Sequence, residues 1–275
     1  MEWPGSHVSQ PINVFILTYC RNEELFYGTE LIFKTLRVGF PNAKVTVVDN
    51  ASFPTVRGQI ELLAKKNDCA FRPIPGRGVW HHDFLESTLR DVATGGTDQG
   101  ALVFLDPDIC LWESCEDFGF DGLIAGVLVS KHQTKADITM PRLHTSFLWI
   151  PHAASLWDEV RKIRIRHFDF NPFASVSFRM DDTWYRFDTG ASLFAAIPDR
   201  ISYFDEQHLK RYDHLVSGSH LNCLLPVLHE EFSQLLIQIH AWARDGNLEA
   251  LRGIRRRQLD VWRRSASGMG EHLAL

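Results

Sequence analysis

Cysteine is scarce and unpatterned: Cys20, Cys69, Cys110, Cys115 and Cys223 are an odd number, scattered, with no Cys-x-x-Cys pair. Neither a disulfide framework nor a cysteine zinc site is indicated, and a reducing cytoplasm is the expected compartment. No stretch approaches 18 uncharged apolar residues, and residues 1–10 lack a cationic segment leading into an apolar one, so neither secretion nor membrane spanning is expected. A surplus of positive charge is also missing. Twenty-nine Lys+Arg against 34 Asp+Glu give a formal net charge of -5, which argues against a surface devoted to nucleic acid. Internal repeats and low-complexity segments are absent. What remains is a 275-residue chain with 45% hydrophobic residues, long enough to bury roughly three-quarters of its unfolded surface.

The first half alternates two kinds of pattern. A near-continuous apolar run at 12–19 reads as a strand buried on both faces, the run at 44–49 repeats that signature, and shorter strands follow at 70–74 and 101–105. Between them, helical spacing spans 23–38, 55–67 and 81–93, punctuated by Gly39 and Pro41, and by Gly95 and Gly96. Strand-helix alternation predicts parallel strands joined by right-handed crossovers, hence an α/β layered fold. Each strand ends in polar residues on the same side of the sheet, where open α/β sheets bind ligands. Beyond about residue 120 the pattern loosens into short strands at 123–129, 145–150 and 191–195 and a helix near 153–163. Helical character returns from Pro226, with Gly246 separating it from a segment at 248–264.

Asp106-Pro107-Asp108 follows the most apolar strand. Residues two apart in extended chain point to the same side, and Pro107 ends the strand and holds the pair at its tip. Two carboxylates about 4 Å apart repel by roughly 4 kcal/mol at an effective dielectric near 20. A divalent cation offsets that repulsion, and all-oxygen ligation with room for phosphate oxygens is the Mg²⁺ or Mn²⁺ pattern. Turn capping or pairing with a nearby arginine is the plainer account of the same two residues.

Thr18-Tyr19-Cys20-Arg21-Asn22-Glu23, Val48-Asp49-Asn50-Ala51-Ser52 and Phe104-Leu105-Asp106-Pro107-Asp108 together resemble a GT-A glycosyltransferase, close to the family-2-like bacterial enzymes. The resemblance covers residues 12–115. It implies a Rossmann-like, mostly parallel sheet flanked by helices, with a C-terminal helical tail. It also implies that the first two strand ends hold the nucleotide of a sugar donor while the Asp-x-Asp tip holds a metal bound to its diphosphate. Carried onto this chain, Asp49 is the base or ribose contact, Asp108 the direct metal ligand, and Asp106 nearer the ribose and the metal's water. Thr18 and Arg21 line the same pocket. The run 78–85 is similar to the family's segment near the nucleotide or donor sugar, bringing in His81; apart from the resemblance, Arg77 is either a cation for the diphosphate or a solvated loop arginine, and Trp80 either a stacking surface or core beside a buried helix.

In the second half, Arg186-Phe187-Asp188-Thr189-Gly190 resembles an acceptor-site segment of some members, which makes Asp188 the candidate catalytic base and Asp181-Asp182 the second candidate. An aspartate before a Thr-Gly turn also caps turns. Many GT-A enzymes take a last metal ligand from a C-terminal histidine. His214, ahead of a Ser-Gly-Ser segment, is similar in position, and His220 is the alternative. By the same resemblance the strand at 141–150 borders the acceptor, so that His144 and Trp149 would touch a sugar, and sheet packing explains its alternating apolar positions equally well. The basic segment at 252–264 suits either an anionic membrane surface or simple packing on the domain.

The expectation is a single catalytic domain over 1–225, divided into a nucleotide-sugar half at 12–115 and an acceptor half at 116–225, with a helical extension over 226–275. The expected activity is metal-dependent transfer of a sugar from a nucleotide-diphosphate sugar to a hydroxyl on a saccharide or lipid-linked acceptor. The expected location is the cytoplasm, with peripheral membrane contact through the basic helix. The alternatives are a nucleotidyltransferase, disfavoured because no Gly-rich phosphate loop follows the first strand, and a non-catalytic carbohydrate- or nucleotide-binding protein of the same fold.

Overall fold

The apolar runs of the first half do become the centre of a sheet. In the computed structural model, which describes residues 11–21, 23–95, 100–129, 141–165, 168–169, 171–180, 182–215, 230–258 and 260, the chain alternates β1 (Ile12–Thr18), α1 (Glu23–Gly39), β2 (Lys44–Asp49), α2 (Pro54–Lys66), β3 (Ala70–Pro73), α3 (His81–Thr94) and β4 (Ala101–Leu105). A short β5 (Ile109–Leu111) precedes β6 (Ile124–Val129), β7 (Arg142–Ile150) and α4 (Ala153–Val160). Two small hairpins follow, β8 (Arg164–Ile165) with β9 (Phe168–Asp169) and β10 (Val176–Met180) with β11 (Thr183–Phe187). The remaining elements are α5 (Ala191–Ala196), β12 (Ile201–Tyr203), α6 (Glu206–Leu209), β13 (Tyr212–His214), α7 (Glu230–Arg244) and α8 (Leu248–Leu251).

Seven strands form the main sheet in the order β12-β6-β7-β4-β1-β2-β3. Strands β1 to β4 are mutually parallel where they pair, β12 runs parallel to β6, and β7 is antiparallel to both its neighbours. Successive residues of one strand feed opposite layers, as the pleat requires. Ile16 and Val47 pack with Ile32, Leu36 and Phe40 of the α1 side, whereas Leu17 and Val48 pack with Phe84, Leu85 and Leu89 of α3. Both faces are therefore covered, which is why the sequence runs apolar instead of alternating. A third cluster joins Leu31 of α1 and Cys110 of β5 to Leu235, Ile239, Leu251 and Ile254, docking the C-terminal helices on the domain.

Two departures have physical causes. The strand expected at 191–195 is the helix α5, since a five-residue apolar run carries no periodicity to separate the two, and Ala191, Leu193, Ala195 and Ala196 favour helix. Strand β7 begins at Arg142, earlier than its apolar core suggested, and its pairing with β6 jumps from Gly126↔Leu148 to Val127↔His144. That irregularity is a β-bulge holding Thr145 to Phe147 on the β7 side.

Candidate functional site

The Asp-Pro-Asp tip lies where β4 gives way to β5. Asp106 N–H donates to the Ser146 carbonyl at 2.7 Å, anchoring the tip to β7, and Ile109 N–H returns to the Asp106 carbonyl at 3.4 Å. Ile109, Cys110 and Leu111 are wholly buried, so the turn is pinned by the core directly behind it. Strand β13 pairs antiparallel with β5, setting His214 opposite Ile109, and Leu215 N–H donates to the Asp108 carbonyl at 2.9 Å. The consequence is a convergence across more than a hundred residues of sequence. One ligand atom each from Asp106, Asp108 and His214 lies within 4.8 Å of the others, and His214 Nε2 is 3.2 Å from Asp108 Oδ1.

Burial pushes the Asp106 carboxyl above its ordinary range, and Asp108 adds to the rise against the opposing pull of His81 and His214. For His214, burial works downward but is outweighed by the Asp108 carboxylate and its hydrogen bond, so the imidazole is raised. His144, with its ring 5.1 Å from that of His214, goes the other way. Burial, then His214 and Arg142, hold it well below the usual histidine range, a neutral imidazole whose Nδ1 is 2.8 Å from the Ser146 hydroxyl. The donor set of two carboxylates and one imidazole fits Mn²⁺ or Mg²⁺, and two carboxylates crowded in partial burial are the charge such an ion offsets.

Beside the cluster lie the other strand ends. His81 Nε2 approaches Asp106 Oδ1 at 3.9 Å from the start of α3. Thr18 and Asp49 are wholly buried: the Thr18 hydroxyl donates to Asp49 Oδ1 at 3.2 Å, and Ser52 N–H donates to Oδ2 at 3.2 Å. They form the floor between β1 and β2. Asn50 grips the loop before α3, donating from Nδ2 to the Val79 carbonyl at 2.9 Å and accepting Val79 N–H at 2.7 Å. Arg77 and Arg21 are exposed, the latter with its guanidinium 4.8 Å from the Tyr19 ring centre. Trp80 is 74% exposed and stacks against His82, while Phe53 and Tyr19 are also exposed along this edge.

Asp188 is exposed, forms an ion pair at 3.0 Å with the buried Arg142 at the start of β7, and accepts Thr189 N–H at 2.7 Å. Asp182 is exposed and paired with Arg179. Trp149 is 3% exposed and packs with Phe40, Phe118 and Phe120, so of its two readings the packing one holds and the sugar contact does not. Asp181, His220, Cys223, Arg263 and Arg264 lie outside the described residues. Of the tail arginines, Arg255 turns inward to the Tyr212 hydroxyl at 3.2 Å and Arg257 stacks on Trp242. Sequence reading passed over Ser146 and Asp213. The carbonyl of the first and the carboxylate of the second act through backbone geometry, which side-chain spacing does not reveal.

No protein-family profile and no curated protein matches the sequence. The solved structures it is similar to include glycosyltransferases. The mannosyltransferase PcManGT from Pyrobaculum calidifontis, in complex with GDP-Man and Mn²⁺, is 14% identical over 96% of this chain and 77% of its own, with a TM-score of 0.40. TarS residues 1–349 from S. aureus is 13% identical over 95% and 92%, with a TM-score of 0.42. The galactosyltransferase LgtC, in complex with donor and acceptor sugar analogues, is 13% identical over 71% and 74%, with a TM-score of 0.41. The chain spans 45% of the length of the bifunctional glycosyltransferase WbbM, to which it is 10% identical with a TM-score of 0.43. Among the described residues no helix is long and apolar enough to cross a membrane.

Proposed function

We propose that the chain is a metal-dependent glycosyltransferase, moving a sugar from a nucleotide-diphosphate sugar to a hydroxyl of a saccharide or lipid-linked acceptor. The observation that carries this reading is the convergence of Asp106, Asp108 and His214 within 4.8 Å beside the carboxyl ends of β1, β2 and β4. That edge is where open α/β sheets receive ligands. Its strand-end motifs are also the ones that resemble the GT-A family.

Asp106, Asp108 and His214 would hold Mn²⁺ or Mg²⁺, which when bound offsets the charge developing on a departing diphosphate. The chain's own residues supply the rest. Thr18 and Asp49 shape the floor under the nucleotide, Arg21 and Arg77 lie at its exposed rim as cations for phosphate oxygens, and His81 borders the sugar side beside Asp106. Asp188 takes the proton of the acceptor hydroxyl as that oxygen bonds to the sugar's anomeric carbon and the bond to the diphosphate breaks. Arg142 orients its carboxylate for this task.

Isothermal titration of nucleoside diphosphates with and without Mn²⁺ tests the donor site. Binding that requires Mn²⁺ and is weakened at least about tenfold in Asp108→Asn supports it. No metal-dependent binding of any common nucleotide overturns it. A panel of nucleotide sugars then separates the chemistry: release of a nucleoside diphosphate fits sugar transfer, and release of pyrophosphate assigns nucleotidyl transfer instead.

A further inference from the structure

Strand β13 is only three residues long, yet it delivers His214 to the acidic tip. A strand this short has little ladder of its own to fix it: its three partners are all in β5. Besides the Trp112 indole and the Leu215 N–H bond to the Asp108 carbonyl, the bonds that hold it come from residues 253–258. Asp213 is 5% exposed, and its side chain faces away from that of its neighbour His214, as alternation along a strand requires. Its Oδ2 accepts Gly253 N–H at 2.8 Å and the Trp112 indole N–H at 2.6 Å, while Oδ1 accepts Arg255 N–H at 2.9 Å. On one side of this pair, the Tyr212 hydroxyl accepts from Arg255 Nη1 at 3.2 Å. On the other, the Leu215 carbonyl accepts from the buried Gln258 amide at 2.8 Å. Every residue flanking His214 is thus tied to the stretch 253–258, and Leu251 and Ile254 bury that stretch against Leu31, Cys110 and Leu215.

We propose that the C-terminal stretch 253–258 is a clamp that positions His214 for the cation, with Asp213 and Gln258 as its positioning residues; this rests on the cation-site reading above. The imidazole gains nothing from the clamp by direct contact. What the clamp removes is the freedom of β13 to slide or fray, and a ligand held ready binds more tightly than one that must be ordered on binding. The basic tail thereby acquires a role that needs no membrane: Arg255 spends its backbone N–H on Asp213 and its guanidinium on Tyr212.

The test is a double-mutant cycle read by Mn²⁺ affinity, from the electron paramagnetic resonance of free Mn²⁺ titrated with the full chain in the absence of any nucleotide. Asp213→Asn removes one of the two accepting oxygens and should weaken Mn²⁺ about tenfold, the low end for residues that orient a metal ligand. Gln258→Ala, which deletes a single bond to the Leu215 carbonyl, should weaken it by a smaller factor and decides the matter if Asp213→Asn fails to fold. In a His214→Ala background Asp213→Asn should not weaken the residual binding further, because Asp213 acts through that imidazole. Unchanged affinity in both single variants, or a loss that persists without His214, overturns the clamp while leaving the cation site standing. An unsubstituted chain that takes up no Mn²⁺ removes the cation site and the clamp with it.

Discussion

The Thr18 hydroxyl and the Asp49 carboxylate meet at 3.2 Å between the ends of β1 and β2, both wholly buried. The bond is a cross-strand tie at the edge where the sheet hands over to its ligand-facing loops. Thr18→Val keeps the shape and deletes the donor, leaving a buried carboxylate oxygen short of a partner. Urea unfolding should show a loss of about 1–3 kcal/mol. A variant as stable as the parent would mean that the hydroxyl contributes nothing to the floor of the site.

Gly76 and Gly78 both adopt left-handed backbone, at φ +79 and +77, in the loop leading to α3. Their surroundings differ. A Cβ at Gly76 meets nothing within 4 Å, whereas one at Gly78 would stand 2.5 Å from Asn50 Oδ1, the atom that accepts Val79 N–H. Gly76→Ala should cost about 1–2 kcal/mol from backbone strain alone. Gly78→Ala should cost more in the same urea titration, since it also dislodges the Asn50 side chain. Equal losses would show that Asn50 yields freely.

Four buried thiols should be inert. Burial pushes Cys20 up to about 11, with the Thr29 hydrogen bond opposing, and pushes Cys115 up to about 12; Cys110 and Cys69 are raised by burial as well. Because the thiolate is the nucleophile, Ellman's reagent at pH 8 should leave these four unmodified in the native protein and modify all of them in denaturant. Peptide mass spectrometry assigns the sites. Rapid native labelling of Cys20, which donates its backbone N–H to Ser52, would reveal opening of the β1 end.

The capping of α6 should carry a pH signature. Asp205 accepts His208 N–H at 3.0 Å and Gln207 N–H at 2.9 Å, and these bonds, the His208 backbone first, hold its carboxyl below the ordinary value. A depressed folded-state pKa contributes stability above the unfolded value that is lost as pH falls through the folded one. The melting-temperature gap between the parent and Asp205→Ala should therefore be present at neutral pH and shrink in acid. A gap independent of pH would assign the effect to helix propensity alone.

The sequence displayed its parallel half openly. Strands β1, β2 and β4 are largely apolar on both faces and α1 and α3 end at Gly39 and Gly95, so both the elements and the side of the sheet carrying Asp49, Asp106 and Asp108 followed from pattern, whereas β3 is an exposed edge strand and α2 ends at Asn67. What hid was whatever depends on distant pairing. The antiparallel insertion of β7 between β4 and β6 leaves no local trace. Strand β13 is too short for periodicity, so His214 was reached through resemblance, and only its register opposite Ile109 explains how it arrives beside Asp108. Trp149 stayed open between a sugar contact and sheet packing, because an alternating strand does not disclose which face meets the aromatic core of Phe40, Phe118 and Phe120. Asp213 stayed invisible because its partners are two backbone N–H groups some forty residues ahead and an indole about a hundred residues back.

The bulge in β7 has a structural cost that ordinary strand mutations do not share. Between Leu148 and His144 the strand keeps its ladder to β4 at Phe147 while stepping out of line with β6, and in that slack the Ser146 carbonyl turns to receive Asp106 N–H. Shortening this stretch by a single residue would invert the outlook of every side chain back to Arg142, carrying His144 off the His214 ring and Arg142 off Asp188 together. The length of Thr145 to Phe147 thus matters to the geometry, because these three residues without partners on β6 set the phase between the two halves of β7.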